Sequence, residues 1–272
     1  MSLQNRTIAF IGAGNMGEAL IRGLLAGRAV VPSQIIATDV RAERRDFLAK
    51  TFGVRAMDDN LQAVTAADIV VLAVKPQQVG EVLAGFKPAM SNKKLVISIA
   101  AGVTTARIER ELGEGTHVMR VMPNTPALVG AGAAAVAKGA HATDGDLAAA
   151  ESILGAVGIC VRVEEKFIDA VTALSGSGPA YVYYVIEAMI QAGVAAGLDE
   201  DLAKKLAMQT VYGAAKLLVE SGEEPESLRR KVTSPGGTTA AALSVLMAPD
   251  GLEKLMTDAV AAAKRRAQEL AG

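Results

Sequence analysis

At 272 residues, 51% of them apolar, the chain is long enough to bury a sizeable core as one large domain or two modest ones. Its 28 basic and 29 acidic residues nearly cancel, with only short basic patches such as Lys264, Arg265 and Arg266, which argues against nucleic acid as a partner. No apolar run reaches the roughly 18 residues of a membrane span or resembles a signal-peptide core, and the one cysteine, Cys160, cannot pair within the chain, so a soluble, unprocessed protein of a reducing compartment is expected.

The first strand is expected at Thr7 to Ile11. GAGNMG follows it at once, and a helical stretch runs from Met16 to Ala26. In such a context Gly12 permits a tight turn, Gly14 lets the backbone approach a pyrophosphate, and Gly17 lets helix pack on strand. The second strand, Ile35 to Thr38, ends in Asp39, an acidic residue where a dinucleotide fold places its ribose ligand. That carboxylate favours NADH, whereas Arg41, Arg44 and Arg45 could hold the 2′-phosphate of NADPH or simply form a solvated helix face; both coenzymes stay open.

Further strands are expected at Ile69 to Ala73, Leu95 to Ile99 and His117 to Val121, with Ala133 to Ala137 and Gly158 to Val163 as candidate extensions of the sheet. Their alternation with amphipathic segments argues for βαβ units and a parallel sheet covered by helices on both faces. Three of these strands end in strings at the edge where open α/β sheets bind ligands: VLAVKPQ with Lys75 and Pro76, ISIAAG, and RVMPNTP with two prolines. His117, inside a strand, reads as a satisfied core or edge residue, and neither it nor His141 has ligand-spaced partners for a metal. Cys160 reads as a small core residue.

From about Glu164 the pattern becomes helical, interrupted by SGSGP, GLD, EEP and SPGG. The expected organisation is α/β, with a Rossmann-type domain over residues 1–163 and an all-helical domain over 164–272. SGSGP is expected to break a helix at the entry to the second domain. KVTSPGGTT (Lys231 to Thr239) sits between helical segments, and Thr238 and Thr239 would open the helix running through Leu243 and Leu246. Free N–H groups and hydroxyls would then converge on a small space, a candidate carboxylate site; an interhelical turn with an N-cap is the plainer alternative.

GAGNMG, AVKPQ, MPNTP, ALSGSGPAY and VTSPGGTT occur here in the order of the pyrroline-5-carboxylate reductase family, and the chain resembles that family over essentially its whole length. The resemblance implies reduction of L-1-pyrroline-5-carboxylate to L-proline, the last step of proline biosynthesis, by NADPH or NADH in the cytoplasm. It implies a helical domain that builds an interlocked homodimer, often assembled into a homodecamer, with the active site between cofactor domain and dimer helices. Residue by residue, it implies substrate contacts from Ser234, Gly237, Thr238 and Thr239, with Thr239 nearest the imine nitrogen as the catalytic side chain. For the cofactor it implies Gly12, Ala13, Gly14, Asn15, Met16, Gly17, Asp39, Asn60, Ala73, Val74, Lys75, Pro76 and Ala100. Asp39 departs from the pattern, since many relatives carry a small hydroxyl residue there.

Two other readings remain at this stage. A β-hydroxyacid dehydrogenase would use a lysine of the helical domain as general acid, and Lys204 and Lys205 are present without that family's surrounding motif. A non-catalytic dinucleotide sensor would have no use for SPGGTT.

Overall fold

The computed structural model describes residues 3–271. Its strands are β1 (Ile8–Ile11), β2 (Ile35–Thr38), β3 (Arg55–Met57), β4 (Ile69–Leu72), β5 (Leu95–Ser98), β6 (His117–Met122), β7 (Gly132–Lys138) and β8 (Gly158–Arg162). The helices are α1 (Asn15–Ala26), α2 (Ala42–Phe52), α3 (Asn60–Thr65), α4 (Val79–Phe86), α5 (Thr105–Leu112), α6 (Asp144–Leu154), α7 (Ile168–Val171), α8 (Gly178–Ala195), α9 (Glu200–Ser221), α10 (Pro225–Lys231), α11 (Thr238–Leu246) and α12 (Leu252–Ala271). They form two compact units, one running through Ser177 and taking in the last helix from Ala263, the other comprising Gly178–Ala262.

In the first unit β1, β2, β4 and β5 are buried at every position. Side chains alternate between two cores, as the two-residue strand period requires. Ile8, Phe10, Ile35, Ile69, Val71 and Ile97 join one; Ala9, Ile11, Ile36, Val70, Leu72 and Val96 join the other. A sheet covered on both faces needs continuously apolar strands, which is why these were readable as strands at all.

The strand order is β3-β2-β1-β4-β5-β6-β7-β8. β1 pairs in parallel with both β2 and β4, so successive βαβ crossovers leave it in opposite directions and open a crevice at its carboxyl end. The β6–β7 pair is the one antiparallel pairing among the described residues, and β8, parallel to β7, shares its reversed direction. Only the 123–131 loop with its single turn of 3₁₀ helix joins β6 to β7, and a parallel return would need a full crossover.

α6 opens on a capping box. Thr143 Oγ1 donates to Asp146 Oδ2 at 2.6 Å, Thr143 N donates to the same oxygen at 2.8 Å, and His117 Nδ1 lies 2.8 Å from it. Burial raises the Asp146 pKa, but the bonds from Thr143 and His117 outweigh it and hold the carboxyl below its ordinary value. A depressed carboxylate pKa contributes stability above the unfolded-state value and loses it as pH falls through the folded one. Asp146→Asn is therefore expected to cost about 1 kcal/mol at pH 7 and progressively less below pH ~4. Urea midpoints at pH 7 and pH 3 test this; a difference between parent and variant that does not shrink in acid removes the charge from the account.

The second unit is built differently. α8 contains no buried residue, and α9 buries only Ala203 and Ala207. Tyr183, Tyr184, Leu202, Leu206, Met208, Tyr212 and Leu217 are all exposed. Helices this apolar on an uncovered surface mark a face made for protein contact. No helix among the described residues is long and apolar enough to cross a membrane.

Candidate functional site

Gly12 follows β1 with φ +83, and a Cβ there would sit 2.7 Å from Val74 Cγ1 and 2.9 Å from the Ala73 carbonyl oxygen. Only glycine fits the turn. Its N–H donates to Thr38 Oγ1 at 3.4 Å, which ties the ends of β1 and β2. Gly14 is the N-cap of α1, where no side chain caps the helix, and no atom lies within 4 Å of where its Cβ would stand. The first turn of α1 thus presents N–H groups to open space, which suits a pyrophosphate.

That space is a cleft of ≈ 450 Å³ lined by Gly12, Gly14, Thr38, Asp39, Val40, Arg41, Asn60, Ala73, Val74, Lys75, Gln78 and Val82. A glycine cradle, an uncapped helix start and a carboxylate at the end of β2 together fit a dinucleotide. Of the residues expected at the cofactor, the structure brings Gly12, Gly14, Asp39, Asn60, Ala73, Val74 and Lys75 to this cleft. The others are not among the residues that line it. Ala13 is buried, Gly17 packs on the turn with its Cβ position 3.0 Å from Gly12 O, and Met16 packs against one sheet core. Ala100 belongs to the other core, Asn15 is exposed at the start of α1, and Pro76 opens the turn before α4. Sequence reasoning did not mark Thr38, Val40, Gln78 or Val82; the signal for Thr38 and Val40 is their place at the β2 end on the sheet's carboxyl edge, whereas Gln78 and Val82 come from the 3₁₀ turn and α4 that follow β4.

The three arginines after β2 have three different tasks. Arg44 Nε donates to Ala13 O at 2.6 Å, and its Nη2 reaches Gly14 O at 3.3 Å and Glu18 at 2.7 Å, bracing the glycine loop. Arg45 Nη1 donates to the carbonyls of Asp39 at 2.9 Å and Val40 at 3.1 Å, while Nη2 pairs with Asp58 at 3.2 Å. Arg41 turns to the cleft and holds Asp39. Burial raises the Asp39 pKa, but the side-chain and backbone hydrogen bonds from Arg41 overcome it, so the carboxylate is ionised well into acid.

Beyond β6, Asn124 fixes the MPNTP loop. Its Oδ1 accepts from Ala133 N at 2.9 Å, and its Nδ2 donates to the carbonyl and hydroxyl oxygens of Ser175, each at 3.3 Å. Ser175 lies in SGSGP, where the regular helix is interrupted between α7 and α8. Residues Thr172–Gly176 form a π turn between α7 and α8, with Ser177 N donating to Thr172 O at 2.8 Å. Met122 explains the small residues there, since a Cβ on Gly176 would come within 2.4 Å of its Cε. Arg120, two residues earlier, is 4% exposed and pairs with Glu165 at 3.3 Å and Asp169 at 3.2 Å. Glu165 also accepts from Thr105 N at 2.8 Å and Thr105 Oγ1 at 2.6 Å. These bonds tie the segment beginning at Glu165 to the sheet.

In the second unit, Ser234 to Gly237 make a tight turn, with Gly237 N donating to Ser234 O at 3.0 Å and Gly236 at φ +69. Pro235 at its second position and a left-handed glycine at its third are what such a turn demands, and this accounts for PGG. Gly237 is the N-cap of α11, again without a side-chain cap. Thr238 and Thr239 are the first two residues of that helix, and among the described residues neither hydroxyl has a hydrogen-bond partner. Ser234, Gly237, Thr238 and Thr239 therefore gather around an uncapped helix start, a place suited to a carboxylate.

Residues 165–270 match the family model for pyrroline-5-carboxylate reductase dimerisation, and residues 7–102 match that for NADP oxidoreductase, coenzyme F420-dependent. A pyrroline-5-carboxylate reductase of Synechocystis is 46% identical over 270 residues, 99% of each chain. The structure of a pyrroline-5-carboxylate reductase from Coxiella burnetii superposes with TM-score 0.93 at 40% identity, covering 99% of this chain and 100% of that one. That of Plasmodium falciparum pyrroline carboxylate reductase with NADP bound has TM-score 0.86 at 32% identity, over 99% of both chains. With its two uncapped helix starts and near-complete coverage by these relatives, the chain belongs to the pyrroline-5-carboxylate reductase family.

Proposed function

We propose that this chain reduces L-1-pyrroline-5-carboxylate to L-proline with NADH or NADPH, in the cytoplasm, as a homodimer that assembles further into a homodecamer. The observation that supports the chemistry best is that one chain holds both a dinucleotide cleft and a second uncapped helix start flanked by free hydroxyls. A redox sensor needs only the first. The apolar helices of the second unit support the assembly, since they bury almost nothing within one chain.

The nicotinamide coenzyme, when bound, supplies the hydride that adds to the imine carbon, while a proton ends on the ring nitrogen. The chain's part is to hold and orient. Ser234, Gly237 and Thr238 with the N–H groups of α11 bind the substrate carboxylate, and the Thr239 hydroxyl hydrogen-bonds the ring nitrogen. Gly12, Ala13, Gly14, Asn15, Met16, Gly17, Asp39, Asn60, Ala73, Val74, Lys75, Pro76 and Ala100 would hold the coenzyme. Because a protonated imine is already electrophilic, no strong base is required, and orientation alone is worth on the order of 7–11 kcal/mol.

The test is the loss of reduced-nicotinamide absorbance on adding pyrroline-5-carboxylate, with proline assayed as product. Protein that binds coenzyme yet consumes none would return the reading to a hydroxyacid dehydrogenase or a sensor. Thr239→Ala is expected to lower kcat about tenfold, the worth of one hydrogen bond to a charged group, with coenzyme affinity unchanged. Kinetics identical to the parent would take Thr239 out of the mechanism.

A further inference from the structure

In a dinucleotide fold the adenosine ribose lies at the end of the second strand, which here is the β2 end of the cleft. The charged groups lining that end are Asp39 and Arg41. Asp39 Oδ1 accepts from Arg41 N at 3.0 Å and Arg41 Nε at 3.1 Å, and Oδ2 accepts from Arg41 Nη2 at 3.3 Å. The carboxylate side chain is 9% exposed and the guanidinium 57%. We propose that Asp39 selects NADH over NADPH, and that Arg41 is a latent 2′-phosphate ligand held out of use by Asp39; this rests on the dinucleotide reading of the cleft.

The other cations are excluded by what they already bind. Arg44 is committed to the glycine loop and Glu18, and Arg45 to two carbonyls and Asp58. Lys75 lines the cleft but follows β4, on the far side of β1 from β2, about 10 Å away by strand spacing. Asn60 is neutral. A ribose diol can donate to the acceptor site left on Asp39 Oδ2, since a carboxylate offers about four and Arg41 takes three. A 2′-phosphate dianion would instead meet a fixed carboxylate, with the nearest cation already neutralised by that same carboxylate.

The arrangement makes a specific demand on double substitution. Asp39→Ser removes the repulsion and frees Arg41 in one step, so NADPH affinity should rise about tenfold. In Asp39→Ser/Arg41→Ala the cation is gone, and most of that gain should go with it.

Direct titration of the full-length parent with NADH and with NADPH, followed by nucleotide fluorescence without substrate, is expected to show NADH bound about tenfold tighter. Equal affinities, tighter NADPH binding in the parent, or an Asp39→Ser gain that survives removal of Arg41 would each overturn the proposal. Binding of neither coenzyme would overturn the dinucleotide reading itself, and the selector with it.

Discussion

Arg120→Met is expected to lower the unfolding free energy by about 3 kcal/mol, because it leaves two carboxylates facing a hole in their charge pairing. Arg120 is 4% exposed, while Glu165 and Asp169 are 27% and 20% exposed. Their partial access to water places the effect at the low end of the roughly 3–5 kcal/mol typical of a broken buried pair. Methionine fills most of the arginine's volume, so the loss reports charge and not a cavity. Glu165 keeps its bonds from Thr105, which makes Asp169 the more strained of the two. Adding Asp169→Asn to Arg120→Met should therefore recover part of the loss. Chemical denaturation of the three proteins decides it: an Arg120→Met midpoint within error of the parent would show that the pair holds nothing together.

The glycine loop should separate folding from binding. Gly12→Ala is expected to destabilise by about 3 kcal/mol, combining the ~1–2 kcal/mol of a left-handed backbone with overpacking against the Ala73 carbonyl. The 2.9 Å approach to that backbone oxygen leaves no flexible group to move aside. Gly14→Ala is the opposite case. Its φ of -65 suits any residue, nothing lies within 4 Å, and the cost to the fold should be about 0.5–1 kcal/mol, that of alanine at an N-cap. Its methyl would stand in the space where a pyrophosphate meets the first turn of α1, so coenzyme affinity should fall on the order of a hundredfold. Thermal midpoints and coenzyme titrations of both variants test the contrast. Parent-like coenzyme binding by Gly14→Ala would move the pyrophosphate away from that helix.

The parts of the fold visible in the sequence were those with a strong local cause. Doubly covered strands must be apolar throughout, and β1, β2, β4 and β5 could be read to within a residue or so. β3 could not, because one exposed and two half-buried residues at the sheet's edge leave no pattern. The direction of β7 was also hidden, since an apolar strand reads alike either way up and only the short 123–131 loop betrays the reversal. At the site, GAGNMG was legible because its glycines answer to backbone geometry. The division of labour among Arg41, Arg44 and Arg45 was not, because it depends on which carbonyls and carboxylates the fold brings within reach of three similar side chains. SGSGP suggested a break for its composition; that the interruption takes the form of a π turn was not legible there.

The near absence of buried side chains in α8 and α9 bears on the life of the chain in the cell. If its helices find their core only in a second copy, then acquiring structure and finding a partner are one event, second order in chain concentration. Dilution, more than heat, becomes the hazard, and a newly made copy shows Tyr183, Tyr184, Leu206 and Tyr212 to chaperones and proteases until it meets another. Abundance then sustains itself: the more of the protein there is, the shorter each new copy stays vulnerable.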